Sequence, residues 1–231
     1  MKIKIERIAL GLILAPLAPI AGLLGFWWTS YAFLPERWIS FCAISGLALG
    51  ILADIFILKK LIARANQFGM IFWTVIFLFY TVCVFGFFMG MPIFNAALAI
   101  PAGFIVGGKL ARKTADRSQV RAAALRTCIF TTIVLTFICA TSAILALSEA
   151  TLPAQLEGML SLPFTVTWGM IWGFILVGGA GLLAVNWLLT SLAVRFTHRF
   201  LSTPWDEPVP QAARVSDFTA MIDEARTGWF G

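Results

Sequence analysis

Residues 68–108, FGMIFWTVIFLFYTVCVFGFFMGMPIFNAALAIPAGFIVGG, contain no charged side chain, and this run decides the fold. An α-helix needs about 20 apolar residues to cross the hydrocarbon core of a bilayer. The run is too long for one such helix and about right for two. Gly90-Met91-Pro92 lies near its middle and has the composition of a turn. The run therefore predicts two membrane-spanning helices joined by a tight hairpin.

Apolar runs of similar length lie on both sides of this stretch. The first follows a basic start, as in a signal peptide, but it is longer than the roughly 7–15 apolar residues of a cleaved signal, so we interpret it as a retained span. The chain is thus predicted to be an all-α, polytopic membrane helical bundle, with a transmembrane domain over residues 1–200. Its six predicted spans are residues 8–28, 38–58, 69–90, 92–109, 127–147 and 164–193.

Composition agrees with a membrane protein. Apolar residues make up 60% of the chain and charged residues 12%, whereas soluble domains carry about 25% charged residues. A net charge of +6 would indicate nucleic acid in a soluble protein. Here the basic residues lie in short segments between the apolar runs, so we expect the lipid bilayer as partner and no nucleic acid.

The basic residues also predict the orientation. Sixteen of the 17 Lys and Arg residues fall in segments 1–7, 59–67, 109–126 and the part after residue 194, and only Arg37 falls on the other side. By the positive-inside rule, both termini are cytoplasmic in a multi-pass protein of the cytoplasmic (inner) membrane. Aromatic residues typical of interfacial belts agree with this orientation: Trp27, Trp28, Tyr31 and Trp38 at the outer edge, Trp73 and Trp187 at the inner edge.

Two segments between the spans have a helical pattern. Outside, Leu152, Leu156, Met159 and Leu160 recur at helical spacing and predict a short helix lying in the interface. Inside, Lys109, Lys113, Arg117 and Arg121 recur every four residues and would form one basic stripe on a helix.

The C-terminal tail, residues 201–231, carries a predicted amphipathic helix at about 216–227. Phe218, Met221 and Ile222 form its apolar face behind a Ser216 cap. Its charged residues are mostly acidic, so we expect it to dock on the basic stripe or on a protein partner.

Most catalytic and metal-binding constellations are absent from the sequence. His198 is the only histidine, which excludes a two-histidine zinc site and bis-histidine haem within one chain. The four cysteines, Cys42, Cys83, Cys128 and Cys139, lie in predicted spans without a CxxC pair. We therefore expect no metal, no cofactor and no enzymatic activity.

Asp54 is the only ionisable residue well inside a predicted span, and such a residue is a candidate for ion coupling. The alternative is a structural ion pair with Lys59, Lys60 or Arg64 at the inner surface. Asn95 and Asn186 are also inside spans, where an interhelical hydrogen bond is the expected role.

The sixth span contains a glycine surface formed by Gly169, Gly173 and Gly181, together with Gly178 and Gly179. Small residues at such spacing let another helix approach closely. The sequence leaves open whether that helix belongs to this chain or to a second one.

Spans one and four are the predicted binding site. Each carries a proline near its middle, Pro19 and Pro101, which leaves the carbonyl four residues earlier, Ala15 or Ala97, without its helical donor. In hydrocarbon that carbonyl needs another partner, such as a ligand. Three spans in each half also allow an inverted repeat, in which paired broken helices mark a midplane site. We predict substrate binding around these four residues, with Asn95 above them.

Three functions are compatible with the sequence. The first is a small transporter or the membrane component of one, favoured by the helix breaks and Asp54. The second is a non-catalytic subunit or assembly factor of a larger membrane complex, favoured by the glycine surface and the tail. The third, a membrane-embedded enzyme acting on lipid, lacks a base–nucleophile pair or a carboxylate cluster.

Overall fold

The chain is helical because a backbone in hydrocarbon must satisfy its N–H and C=O groups internally. The computed structural model describes residues 2–65, 67–88, 90–113, 115–160 and 164–202. These ranges are all-helical and contain no strand. Their helices are α1 (Lys2–Leu14), α2 (Leu17–Phe33), α3 (Glu36–Arg64), α4 (Met70–Phe87), α5 (Ile93–Ala96), α6 (Ala99–Arg112), α7 (Arg117–Ser148), α8 (Leu152–Leu160) and α9 (Trp168–Ser202).

Six helical segments are long and apolar enough to cross a membrane, which confirms the predicted number of spans. Two of them are interrupted, since α1 and α2 together form the first and α5 and α6 together form the fourth. Several helices continue well past the predicted apolar limits where the Lys and Arg residues lie. We call this end of the bundle, formed by residues 5–7, 59–65, 109–113, 115–126 and 195–202, the basic end.

The outward surface of the bundle is strongly apolar. Phe33, Ile71 and Phe174 expose 83%, 81% and 80% of their surface. A soluble monomer rarely exposes contiguous apolar patches beyond a few hundred Å². Such a surface suits a lipid environment and an integral membrane protein. Trp73, expected in the inner aromatic belt, is instead buried in the bundle beside Leu10 and Leu14.

Glycines set the closest helix contacts. Helix α2 packs on α3 where Gly22 meets Gly46, and a Cβ added to either glycine would overlap the carbonyl oxygen of the other. Helix α6 packs on α9 in the same way, because a Cβ on Gly103 would lie 2.5 Å from the Cβ of Ala193. A Cβ on Gly107 would lie 2.6 Å from the Val194 carbonyl oxygen. Backbones this close gain dispersion contacts that larger side chains would prevent.

Helices α7 and α9 are joined by a buried polar network. Asn186 Nδ2 donates to Thr131 Oγ1 at 3.2 Å and to Thr132 Oγ1 at 3.3 Å. The hydroxyls of Thr131 and Thr190 lie 3.1 Å apart, and Thr190 also donates to the Asn186 carbonyl at 2.8 Å. The interhelical hydrogen bond expected for Asn186 is therefore present.

The hairpin between α4 and α5 lies at the predicted turn. Gly90 has φ +79°, a left-handed conformation that suits glycine because it has no Cβ. Its N–H donates to the Phe85 carbonyl at 2.8 Å, and the Met91 N–H donates to the Phe88 carbonyl at 3.0 Å. These bonds satisfy carbonyls at the end of α4 and reverse the chain.

The predicted continuous basic stripe is wrong. Helix α6 ends at Arg112, with Lys113 as its C-cap, and α7 begins only at Arg117. Lys109 therefore lies on a different helix from Arg117 and Arg121. The reason is Asp116, whose carboxylate caps α7 by accepting from the Gln119 N–H at 2.8 Å.

Hydrogen bonds from the Gln119 N–H and then the Ser118 hydroxyl lower the pKa of Asp116. Because the folded pKa is depressed, this contribution to stability is present at neutral pH. It is lost as the pH falls through the lowered pKa.

Two predicted short helices have different outcomes. The predicted helix between spans five and six is present as α8. The predicted tail helix at 216–227, with Phe218, Met221 and Ile222, lies outside the described residues.

Candidate functional site

A cavity of about 200 Å³ lies among α1, α4, α6 and α7 and is partly open at the surface of the bundle. An engineered apolar cavity of about 150 Å³ takes a benzene ring, so this space is large enough for a small apolar group. The residues lining it are Ile13, Met70, Trp73, Thr74, Ile76, Phe77, Tyr80, Leu98, Pro101, Ala102, Ile105, Val106, Arg126, Thr127 and Phe130.

The cavity wall is mostly apolar, and its polar groups differ in what they bind. Tyr80 Oη donates to the Ile13 carbonyl at 2.7 Å, and Thr127 Oγ1 donates to the Ala123 carbonyl at 2.8 Å. Arg126 makes no hydrogen bond or ion pair with any residue that the structure describes. The wall therefore combines hydrocarbon with one unpaired cation, a pattern suited to a ligand with an apolar body and an anionic group.

Both broken spans border this cavity. The first breaks at Ala15-Pro16, just after Ile13, and the fourth breaks at Ala97-Leu98. Proline has no N–H, so Pro16 cannot continue the bonding of α1. The Tyr80 hydroxyl of α4 donates to the Ile13 carbonyl in the last turn of α1. This hydrogen bond links the first break to α4.

Pro19 and Pro101 occupy equivalent places after the two breaks. Each is the third residue of the helix that follows, α2 or α6. The first N–H groups of a helix have no helical acceptor, so a proline there costs no hydrogen bond. The Ala97 carbonyl, expected to lack a donor, accepts from the Ile100 N–H at 3.1 Å.

Of the five residues of the predicted binding site, Pro101 alone lines the cavity. Pro19 packs on α3, where a Cβ on Gly50 would lie 2.6 Å from its Cα. Ala15 lies in the first break, with its N–H bonded to the Gly11 carbonyl at 2.8 Å. Ala97 is exposed on the outer surface of the fourth span. Spans one and four meet nearer the basic end, where Phe104 and Ile105 pack on the Leu10–Leu14 cluster.

Asn95 is buried just before the break in the fourth span. It is 5% exposed, and neither its Nδ2 nor its Oδ1 has a hydrogen-bond partner in the part of the chain that the structure describes. A buried amide without a partner costs free energy, of the order of 1–3 kcal/mol. It is outside the cavity lining, so the structure does not bring it together with Pro101.

Asp54 is half-buried on α3 and makes no hydrogen bond or ion pair with any described residue. The structural pair with Lys59, Lys60 or Arg64 is thus not formed. Asp54 is not among the residues that line the cavity.

Polar contacts join helices at the basic end, beside the cavity. Glu6 of α1 forms an ion pair with Arg112 of α6, and Lys109 Nζ donates to the Phe68 carbonyl. A void of about 10 Å³ lies beside these residues, with Trp73 between it and the cavity. Trp73 Nε1 is buried without a hydrogen-bond partner.

The glycine surface of the sixth span has no partner helix within the described chain. A Cβ added to Gly173, Gly178, Gly179 or Gly181 would have nothing within 4 Å. One on Gly169 would approach only Thr167 Oγ1, at 3.9 Å, on its own segment. This surface is open to the surroundings of the bundle.

Sequence reasoning did not identify Tyr80 or Arg126. A signal for each exists in the sequence, because Tyr80 is a polar residue in the middle of the charge-free run and Arg126 is the last cation before the fifth span. Among the described residues, no three His, Cys, Asp or Glu side chains form a group that could hold a metal. No known protein family, curated protein or solved structure matches this chain.

Proposed function

We propose that this membrane protein is a small transporter, or the membrane component of one, for an amphipathic anion. The observation that carries the proposal is the cavity of about 200 Å³ bordered by both broken spans and lined by the unpaired Arg126. Its apolar wall would accept a hydrocarbon body by excluding water. The Arg126 guanidinium would bind a carboxylate or phosphate, the anions that its planar fork fits best.

The helix breaks supply the places where the bundle could move. The Glu6–Arg112 ion pair and the Lys109 contact to Phe68 join helices at the basic end and would break if these helices separated there. Tyr80 lines the cavity and donates a hydrogen bond to the Ile13 carbonyl beside the first helix break. A movement of the Tyr80 side chain would therefore alter both the cavity and this break, which we propose as a hinge. Hinges of this kind are a few residues that absorb the change in backbone angles.

Binding is the direct test. The purified chain in neutral detergent is titrated with octanoate and, as an uncharged comparison, octanol. Arg126→Gln should weaken octanoate binding at least tenfold, since hydrogen bonds to charged groups contribute about 1.5–3 kcal/mol, and should leave octanol binding unchanged. Ala102→Trp, which fills the cavity, should weaken both. Lys59→Gln, a charge change at the basic end outside the cavity, is the control. Unchanged binding in both cavity variants would refute the site.

Asp54 is the proposed ion-coupling residue, because it is an acid inside a span and makes no ion pair with any described residue. In proteoliposomes, Asp54→Asn should abolish octanoate uptake driven by a pH gradient while leaving octanoate binding in detergent intact. Normal gradient-driven uptake by Asp54→Asn would refute the coupling role of Asp54 but would not affect the proposed binding site.

A second candidate function is supported by the sixth span. Its open glycine surface, Gly169 to Gly181, favours a helix of another protein and hence a subunit of a larger membrane complex. Native mass measurement in mild detergent separates the two functions. A stable stoichiometric partner supports the subunit, whereas a lone monomer or homodimer supports the transporter.

A further inference from the structure

A second, larger groove lies at the basic end, between the start of α7 and the end of α9. It has a volume of about 1100 Å³. Two arginine pairs face it, Arg117 with Arg121 on α7 and Arg195 with Arg199 on α9, each pair four residues apart. Residues four apart lie on the same face of a helix, so both helices present a cationic edge to the same space.

Three of the four arginines that line this groove have no acidic partner in the part of the chain that the structure describes. Arg117, Arg121 and Arg195 are exposed and make no ion pair with any described residue. Among the described acids, Glu6 pairs with Arg112 and Asp116 caps α7. Arg117, Arg121 and Arg195 carry like charges that repel one another, so an anion entering the groove between them would be favoured.

The groove also has an apolar side. Leu125, one turn beyond Arg121 on α7, lines it and exposes 51% of its surface. From there α7 continues into the apolar fifth span. A molecule placed along this helix would meet cations at one end and hydrocarbon at the other.

We propose that this groove binds the phosphate headgroup of an anionic lipid from the leaflet at the basic end. Arginine binds phosphate through two parallel N–H donors, and four arginines and no lysine line this groove. Leu125 and the adjoining span then receive the acyl chain. Basic pockets between membrane helices bind lipid headgroups in this way. The site is separate from the cavity lined by Arg126.

The experiment uses the full chain in a neutral detergent. Phosphatidic acid or phosphatidylglycerol is titrated in, and the thermal unfolding midpoint is followed by tryptophan fluorescence, with phosphatidylcholine as the neutral comparison. The anionic lipids should raise the midpoint saturably. Arg117→Gln, Arg121→Gln and Arg195→Gln should each weaken the lipid about fivefold, the effect of about 1 kcal/mol per basic residue. The triple variant should show almost no response.

Control variants keep the result specific. Lys59→Gln with Lys60→Gln removes two exposed cations from the basic end outside the groove and should leave the lipid response intact. Arg121→Lys retains the charge and should weaken binding less than Arg121→Gln. If the Lys59/Lys60 variant loses the response as fully as the arginine variants, the attraction is diffuse and the proposal fails.

Two further outcomes would overturn the lipid assignment. If inorganic phosphate or glycerol phosphate raises the midpoint at concentrations as low as phosphatidic acid does, the ligand is a soluble phosphate.

The tail carries five acidic residues against two arginines in residues 203–231 and is a competing occupant. If the wild type ignores lipid and a variant with Asp217→Asn, Asp223→Asn and Glu224→Gln responds, the tail fills the groove.

Discussion

Polar side chains inside the bundle differ in whether another helix supplies a partner. The Asn186 side chain bonds two threonines of α7, whereas the Asn95 side chain is also buried but has no hydrogen-bond partner among the described residues. The sequence gives the same expectation for both residues, an interhelical hydrogen bond. It cannot separate them, because a partner depends on which faces meet in the folded bundle. The same limit applies to Asp54. The basic residues near it in sequence, Lys59, Lys60 and Arg64, do not form an ion pair with it.

This difference predicts opposite effects of one substitution. Asn95→Leu removes two buried unsatisfied atoms at similar volume and should raise the free energy of unfolding by about 1 kcal/mol. Asn186→Leu breaks two hydrogen bonds and should lower it by about 1 kcal/mol. Thermal or denaturant unfolding in detergent measures both. A loss of stability in Asn95→Leu equal to that in Asn186→Leu would mean that Asn95 has a partner after all.

At the scale of helices, hydropathy and charge predict the spans but not their contacts. Six apolar runs become six long helices, and the hairpin forms at Gly90. The close contacts within the described chain lie at Gly46-x-x-x-Gly50 and Gly103-x-x-x-Gly107, whereas Gly173 has no neighbouring helix there and Gly169 meets only Thr167 of its own segment. All three pairs have the same spacing, so spacing alone does not select the pairs that are used. The helix breaks lie a few residues before Pro19 and Pro101, so that each proline falls in the first turn of the next helix. A proline is tolerated there because the first N–H groups of a helix have no helical acceptor.

The packed and open glycines make a matched set for testing these contacts. Gly46→Ala and Gly50→Ala place a methyl group against the backbone of α2 and should each destabilise the protein by about 1–3 kcal/mol. Gly25→Ala and Gly173→Ala meet nothing within 4 Å and should be neutral or slightly stabilising, since alanine favours helix. Unfolding in detergent ranks the four variants. Equal effects across the set would contradict the α2–α3 contact.

At the scale of the whole molecule, the two halves of the chain pack differently. The first span packs chiefly on the second, through α2 and α3, whereas the fourth packs most closely on the sixth, through α6 and α9. Spans one and four are both interrupted, but they pack on different neighbours, span two and span six. The similarity expected of an inverted repeat is therefore limited to the helix breaks. The cavity arises where the broken first and fourth spans meet α4 and α7, a meeting that no local pattern in the sequence encodes.

The orientation of the whole bundle follows from charge. Residues 59–65, 109–113, 115–126 and 195–202 lie at the basic end, and the Glu6–Arg112 ion pair joins the N-terminal helix to it. Moving so many cations across a membrane is unfavourable, so this end should face the cytoplasm. Reporter fusions after residue 65, after residue 118 and at the C-terminus should report the cytoplasm. Fusions near residues 36, 91 and 155 should report the far side. A far-side signal after residue 118 would reverse the hairpin of spans three and four, and with it the side to which the cavity and the arginine groove open.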